Sequence, residues 1–192
     1  MLDWHHLNRT FKGEDYPLIS IRERYRRFRA ERKMEFMQLI RPLLQNDQVM
    51  SLDEYKQHYK CNRLNHSMDV AYISYFLASV MRLDSGAVAR AGLLHDLFFH
   101  QEDQGRARLL FSHPRIALEN ARKICSLSAK EEDIILKHMF LLTPWIPRYR
   151  ESYLVTFVDK YCASRELIFS VFARRRIGMA IVYANAVPAK AA

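Results

Sequence analysis

Glycine and proline are scarce in this sequence, with 5 Gly and 6 Pro among 192 residues. Loops and tight turns draw on these two residue types, so their scarcity counts against a β-sandwich of many short strands or a collagen-like chain. It favours a mainly helical domain. Cysteine is scarce too. Cys61, Cys125 and Cys162 form no C-x-x-C pair and no close cluster, which excludes a disulfide framework and fits a reducing cytoplasm. No run of 18 apolar residues exists; the longest candidate, Ile177 to Val187, contains Asn185 and is too short to span a bilayer. The opening Met1-Leu2-Asp3-Trp4-His5-His6 lacks the basic-then-apolar order of a signal peptide. These absences together predict a cytoplasmic protein without a transmembrane segment.

What is present is globular in balance: 49% hydrophobic and 27% charged residues in a chain long enough for one compact domain. Lysine and arginine number 30 against 21 aspartate and glutamate, a net charge of +9 that suits an anionic partner such as a nucleotide, a nucleic acid or an acidic membrane surface.

Apolar spacing predicts an all-α bundle of six to seven helices. After an irregular lead-in over residues 1–18, a basic helix is expected from Ile19 to about Leu44, with Pro42 at its end. Ser51-Leu52-Asp53-Glu54 reads as a capping box opening a short helix to about Tyr59. Further helices are expected from Asn65 to Met81 and from the Asp84-Ser85 cap to about Phe99, with a loop over residues 100–111. Ser112-His113-Pro114 reads as a helix start running to Cys125. A second capping box, Ser128 to Glu131, opens a helix to about Leu142. Thr143-Pro144-Trp145-Ile146-Pro147 breaks the pattern before a long helix from about Arg150 to Arg175. The expected division is an N-terminal basic helix and capping segment (1–60), a region that carries the chemistry (61–173) and a C-terminal extension (174–192), forming one domain overall.

The chemically informative residues are His66, His95, Asp96, His113, His138 and Asp159, spread over five predicted helices or helix ends. His66 lines up with Val70, Ile73, Leu77 and Val80, and so on an apolar stripe. His95 follows Val88 and Ala91, His138 sits with Ile134, Ile135 and Leu142, and Asp159 shares a face with Val155, Cys162 and Glu166. One inward histidine is ordinarily a satisfied core residue. An inward aspartate is costlier unless it is paired or holds a cation. Six such groups converging suit one or two divalent transition metal ions (Mn, Fe, Co or Zn).

These residues resemble a known family. His66, His95-Asp96 and Asp159 match the H…HD…D signature of the HD-domain superfamily of metal-dependent phosphohydrolases, and His113 and His138 match its H…HD…H…H…D subset. Ala91-Gly92-Leu93-Leu94-His95-Asp96 and Phe157-Val158-Asp159-Lys160 look like the family settings of the HD pair and the last aspartate. The pair is followed by Leu97-Phe98 rather than Ile-Gly, and no GYP motif follows, which points away from cyclic di-GMP phosphodiesterases. The length points away from the bifunctional stringent-response enzymes. The small stand-alone bacterial HD hydrolases are the most similar group.

The resemblance implies an HD-domain-like helical bundle. In it His66, His95, Asp96 and Asp159 would hold one metal. His113 and His138 would hold a second, with Asp96 bridging both and acting as the catalytic carboxylate. Arg63 and Lys160 would meet the phosphate of a small anionic phosphoester, and Asp69 is a candidate partner for a metal-bound imidazole. Arg148 and Arg150 stand near the expected mouth. His100 competes with His113 as a ligand, whereas His5, His6 and His58 read as surface residues. Two alternatives share these features: a di-iron HD-type oxygenase with the same six ligands, and a non-enzymatic nucleotide-sensing or RNA-binding module.

The charge itself is uneven. Residues 19–41 hold eight basic and three acidic side chains, and residues 174–190 four basic and no acidic ones. Residues 61–173 are close to balanced, at 14 against 12. The basic excess therefore marks the two ends as the places for a nucleic acid or an acidic surface, rather than the region that carries the chemistry.

Overall fold

The computed structural model describes residues 20–58, 61–99 and 106–186, with side chains for residues 20, 23, 26–55, 62–99 and 111–168. The lead-in over 1–18, His5, His6 and His100 lie outside the described residues, as does the first half of the expected 100–111 loop. Among the described residues there are seven α-helices: α1 (Ile21–Leu44), α2 (Asp47–Met50), α3 (Arg63–Val80), α4 (Ser85–Leu94), α5 (Arg106–Ile124), α6 (Ala129–Lys137) and α7 (Arg150–Ala186). A 3-10 turn at Ser51–Glu54 and a two-stranded antiparallel ribbon, β1 (Lys56–His58) with β2 (Cys61–Asn62), join α2 to α3. The fold is all-α but for this ribbon. None of the described helices is long and apolar enough to cross a membrane.

The chain divides into two compact units, Met1–Glu35 and Phe36–Ala192. In the first, Arg32 pairs with Glu35 at 3.0 Å and lies over the Phe28 ring, while Arg26, Arg27, Arg29 and Lys33 are exposed. In the second, Phe36, Ile40 and Leu43 are buried, and the Phe36 ring meets Tyr72 and Tyr75 at 5.2 and 5.5 Å between centroids. Burying each such side chain contributes about 1.5–3 kcal/mol relative to leaving it in water.

α3 is the central element. Its N-cap Asn62 accepts a bond from the Asn65 amide at 2.8 Å, which replaces one of the helix's missing backbone partners. The buried face follows the expected stripe at His66 and Val70 and leaves it beyond them. Leu77 and Val80 are exposed, and the other buried positions are Arg63, Leu64, Ser67, Ala71, Ser74, Tyr75 and Ala78. Small residues win this face because they let α4 approach: a Cβ on Gly92 would stand 2.9 Å from the Ala71 Cα. α3 ends with Arg82 in the left-handed region (φ 56) and the Leu83 amide bonded to the Ala78 carbonyl, a Schellman-type stop.

Two expected helix starts behave differently from each other. Ser128 and Glu131 form the full reciprocal capping box at the start of α6. The Ser51–Glu54 box does not form: Asn46 caps α2 instead, the Ser51 segment is a single 3-10 turn, and Lys56–His58 is a strand rather than a helix. The Tyr55 carbonyl accepts from the Arg63 amide at 2.8 Å, so backbone pairing across the ribbon replaces the helical bonds expected there. α5 begins at Arg106, not Ser112, and carries Pro114 internally. The helix-compatible run from Arg106 to Phe111 outweighs the one backbone bond that proline removes. α4 and α6 stop short of their expected ends. His95 and His138 sit at their C-caps, and Leu141, at φ 83, cannot continue a right-handed helix. α7 runs eleven residues past the expected Arg175, to Ala186.

Candidate metal centre

All six expected ligands are buried, and they converge. His66 comes from the first turn of α3, His95 and Asp96 from the end of α4, His113 from α5, His138 from the end of α6 and Asp159 from α7. His66, His95 and Asp96 offer ligand atoms within 4.8 Å of one another, and so do Asp96, His113 and His138. The imidazoles run as a chain, with centroids 5.6 Å apart for His66–His95, 4.9 Å for His95–His138 and 5.0 Å for His138–His113.

The two carboxylates sit between the rings. Asp159 Oδ1 is 3.0 Å from His66 Nε2 and 3.7 Å from His95 Nε2. Asp96 turns Oδ2 toward His95 Nε2 at 3.6 Å, and Oδ1 toward His113 and His138 Nε2 at 3.5 and 3.6 Å. One carboxylate therefore addresses both groups, a different oxygen to each.

Helix ends set the ring orientations. The last carbonyls of an α-helix have no partner within the helix. His95 Nδ1 donates to the Gly92 carbonyl at 2.7 Å, and His138 Nδ1 to the Ile135 carbonyl at 2.8 Å. Each bond places the proton on Nδ1 and aims the Nε2 lone pair into the cluster.

The electrostatics follow from burial set against pairing. Burial works against the charged form of His66, but its bonds to Asp159 and Glu166 outweigh that and raise its pKa to about 10. For Asp96, burial is outweighed by His95, His113 and His138, which hold the carboxyl well below the usual range. Asp159 is likewise held low despite burial, by His66, His95 and Lys160. Burial, reinforced by His95 and His113, pushes His138 down to about 3, so its imidazole is neutral. Two ionised carboxylates beside inward-facing ring nitrogens, the neutral His138 among them, form a donor set for a divalent transition metal, whose binding would displace the proton that His66 holds. One observation tests the fit. His95 Nε2 is buried with no hydrogen-bond partner, and the nearest carboxylate oxygens stand beyond bonding distance, at 3.6 and 3.7 Å. A cation between them would satisfy all three groups.

Of the two expected phosphate-binding cations, Lys160 touches a cluster carboxylate and Arg63 feels the charge of the other, Asp96. Lys160 Nζ is 2.6 Å from Asp159 Oδ2 and 3.2 Å from the Met139 sulfur. Arg63 is buried, its guanidinium 3.7 Å above the Phe98 ring and bonded to the Phe98 carbonyl. Burial lowers its pKa while nearby Asp96 opposes the drop. Arg148 and Arg150 are exposed.

Asp69 is not the partner of a cluster imidazole: it is exposed and paired with Arg165. That place is taken by Glu166, whose Oε1 is 2.9 Å from His66 Nδ1. The signal was in the sequence, because Glu166 is two helical turns beyond Asp159 on the same face. Cys162 is buried, which raises its thiol to about 12, and Cys125 is half-buried; neither faces a base that would make it a nucleophile.

Fold and site define an all-α, His/Asp-lined domain of the kind that holds metal, and the family comparison agrees. The HD domain family model matches residues 63–164. The chain belongs to the HD domain family, a family of metal-dependent phosphohydrolases. Curated relatives include Ribonuclease Y of Thermotoga petrophila, 35% identical over 58% of this chain and 20% of that protein. Ribonuclease Y of Aquifex aeolicus is also 35% identical, over 58% of this chain and 18% of that protein. Ribonuclease Y 1 of Pediococcus pentosaceus is 32% identical over 45% of this chain and 17% of that protein. The chain thus spans about a fifth of the length of these relatives. No solved structure gives a significant match.

Proposed function

We propose that this protein hydrolyses a phosphoester of a nucleotide or nucleic acid, using one or two divalent metal ions and a water molecule. The observation that carries the reading is Asp96, whose two oxygens face two separate imidazole groups. His66, His95, Asp96 and Asp159 would hold one cation, and Asp96, His113 and His138 the other. Cations held there would supply a water acidic enough to lose its proton near neutral pH and would polarise the phosphoryl oxygens.

The chain's own residues do the rest. The Gly92 and Ile135 carbonyls keep His95 and His138 turned inward. Lys160, beside Asp159, and Arg63, held over the Phe98 ring within the field of Asp96, supply fixed positive charge for the phosphate. The relatives' names favour hydrolysis over oxidation and make an RNA phosphodiester the first substrate to test. The exposed Arg26, Arg27, Arg29 and Lys33 of α1 suit the surface of such a polyanion.

The test is a hydrolysis screen of RNA oligomers and nucleotides on chelator-stripped protein, with and without Mn²⁺, Fe²⁺, Co²⁺ or Zn²⁺. Metal-stimulated cleavage should fall at least about 100-fold in Asp96→Asn, the loss typical of removing one electrostatic stabiliser. A wild-type protein with no metal-stimulated turnover on the whole panel would sink the proposal.

A further inference from the structure

Helix α7 grips His66 at both ring nitrogens. Asp159 Oδ1 stands 3.0 Å from Nε2, and Glu166 Oε1 stands 2.9 Å from Nδ1. The two acids are seven residues apart, which sets them on one helix face about 10 Å apart along the axis. The two side chains lean in from that spacing, and the imidazole bridges them through both of its ring nitrogens. The Glu166 side chain is 9% exposed, its other oxygen, Oε2, is buried without a hydrogen-bond partner, and the His66 side chain is 1% exposed. A carboxylate buried this deeply is costly to keep ionised, so an isolated glutamate here would weaken the fold. Its charge-assisted bond to His66 is the compensation the structure shows.

The three inward histidines at helix ends and on α3 are oriented differently. His95 and His138 give Nδ1–H to neutral backbone carbonyls of their own helices. His66 sits in the first turn of α3, where helix carbonyls already have partners one turn on, so no spare carbonyl is within reach. A side chain from another element must do the same work, and α7 provides it. A carboxylate does it more strongly than a carbonyl: it fixes the tautomer, locks the ring plane and makes the opposite nitrogen a better electron-pair donor.

We propose that Glu166 is a positioning residue for the metal centre: by accepting the His66 Nδ1–H it commits His66 Nε2 to the cation shared with His95, Asp96 and Asp159. The inference rests on the metal-dependent reading above. It adds a seventh residue to the six expected ligands, one that touches neither metal nor substrate.

The experiment compares full-length wild type, Glu166→Gln, Glu166→Ala and Asp96→Asn. Two quantities are read: Zn²⁺ affinity by competition with a chromophoric chelator, and solvent exchange of the His66 Nδ1–H by ¹⁵N–¹H correlation of the imidazole in the Zn²⁺-loaded protein. Glu166→Ala should bind Zn²⁺ about 10- to 100-fold more weakly. Its His66 Nδ1–H, left without the carboxylate, should exchange faster. Glu166→Gln retains an accepting oxygen, so it should keep that proton protected and recover most of the affinity. A role in folding alone would lower thermal stability in both variants and leave the exchange and the affinity unmoved, which overturns the proposal. If wild type binds Zn²⁺ and Asp96→Asn does not, yet Glu166→Ala matches wild type, Glu166 falls and the metal centre stands. If wild type itself binds no Zn²⁺, Mn²⁺, Fe²⁺ or Co²⁺, both fall together.

Discussion

His113 and His138 face each other through their Nε2 atoms at 2.9 Å, with Asp96 Oδ1 3.5 and 3.6 Å away. His138 gives its only proton to the Ile135 carbonyl, so its Nε2 presents a lone pair. Two ring nitrogens at this separation need a proton or a cation between them. That arrangement separates this half of the cluster from the His66 half. His138→Ala should therefore lower the bound metal by one ion per chain and leave the other in place, as counted by plasma mass spectrometry after gel filtration. Turnover should fall about 100-fold or more. Unchanged stoichiometry would show that this half holds no ion.

Metal should also stabilise the fold. Asp96 and Asp159 are both buried and both held in the charged form. A ligand that binds only the native state adds about 2.7 kcal/mol at a free concentration 100 times its Kd. Thermal unfolding should shift upward with Mn²⁺ or Zn²⁺ and return on adding chelator. In Asp96→Asn the shift should shrink or vanish, because that residue faces both groups.

Much of the centre was legible because it breaks a rule of burial. Histidines and aspartates at apolar helical positions stand out against the core they join, and their order carries the family signature. Their orientation was not legible. Sequence proximity suggested Asp69 for His66, yet Asp69 points outward to Arg165 and the partner comes from a helix a hundred residues away. The same limit governs the fold. The Ser128–Glu131 box is local chemistry and forms as read. The Ser51–Glu54 box has the same Ser and Glu, but the chain that follows it, Lys56–His58, pairs with Cys61–Asn62, which no four-residue window contains. α3 shows a third case: the apolar stripe holds at His66 and Val70 but not at Leu77 and Val80, because serine and alanine take the rest of the buried face where α4 packs on backbone.

Gly92 is where packing and site meet. An added Cβ would stand 2.9 Å from the Ala71 Cα, a backbone atom that cannot rotate away. The Gly92 carbonyl also accepts the His95 Nδ1–H. Gly92→Ala should cost about 1–3 kcal/mol by overpacking, despite alanine's better helix propensity. It should also weaken metal binding, as α4 and His95 shift away from α3. Denaturant unfolding reads the first effect and chelator competition the second. A stabilised variant would mean that α3 and α4 are free to separate without loss.

Asp133 provides a pH-dependent contribution away from the cluster. It is buried on α6, where it accepts from Ser152 Oγ at 2.7 Å and from the Arg148 amide at 2.9 Å, and pairs with Lys137 at 2.6 Å. Burial opposes its ionisation, but Lys137, Ser152 and the Arg148 amide outweigh burial and lower its pKa below 3.8. The folded state thus binds the proton less readily than the unfolded chain. Between the two pKa values the unfolded chain carries more protons, and stability rises with pH there. The contribution is complete above the unfolded value and is lost as pH falls through the folded one. Asp133→Asn keeps both hydrogen-bond acceptor roles and removes the charge. At pH 7 it should cost about 1 kcal/mol, allowing for solvent screening at Lys137. The wild-type and variant stability curves, measured by urea unfolding, should converge below pH 3.8. Parallel curves across the acid range would show that the ionised form of Asp133 contributes nothing to holding α6 against the start of α7.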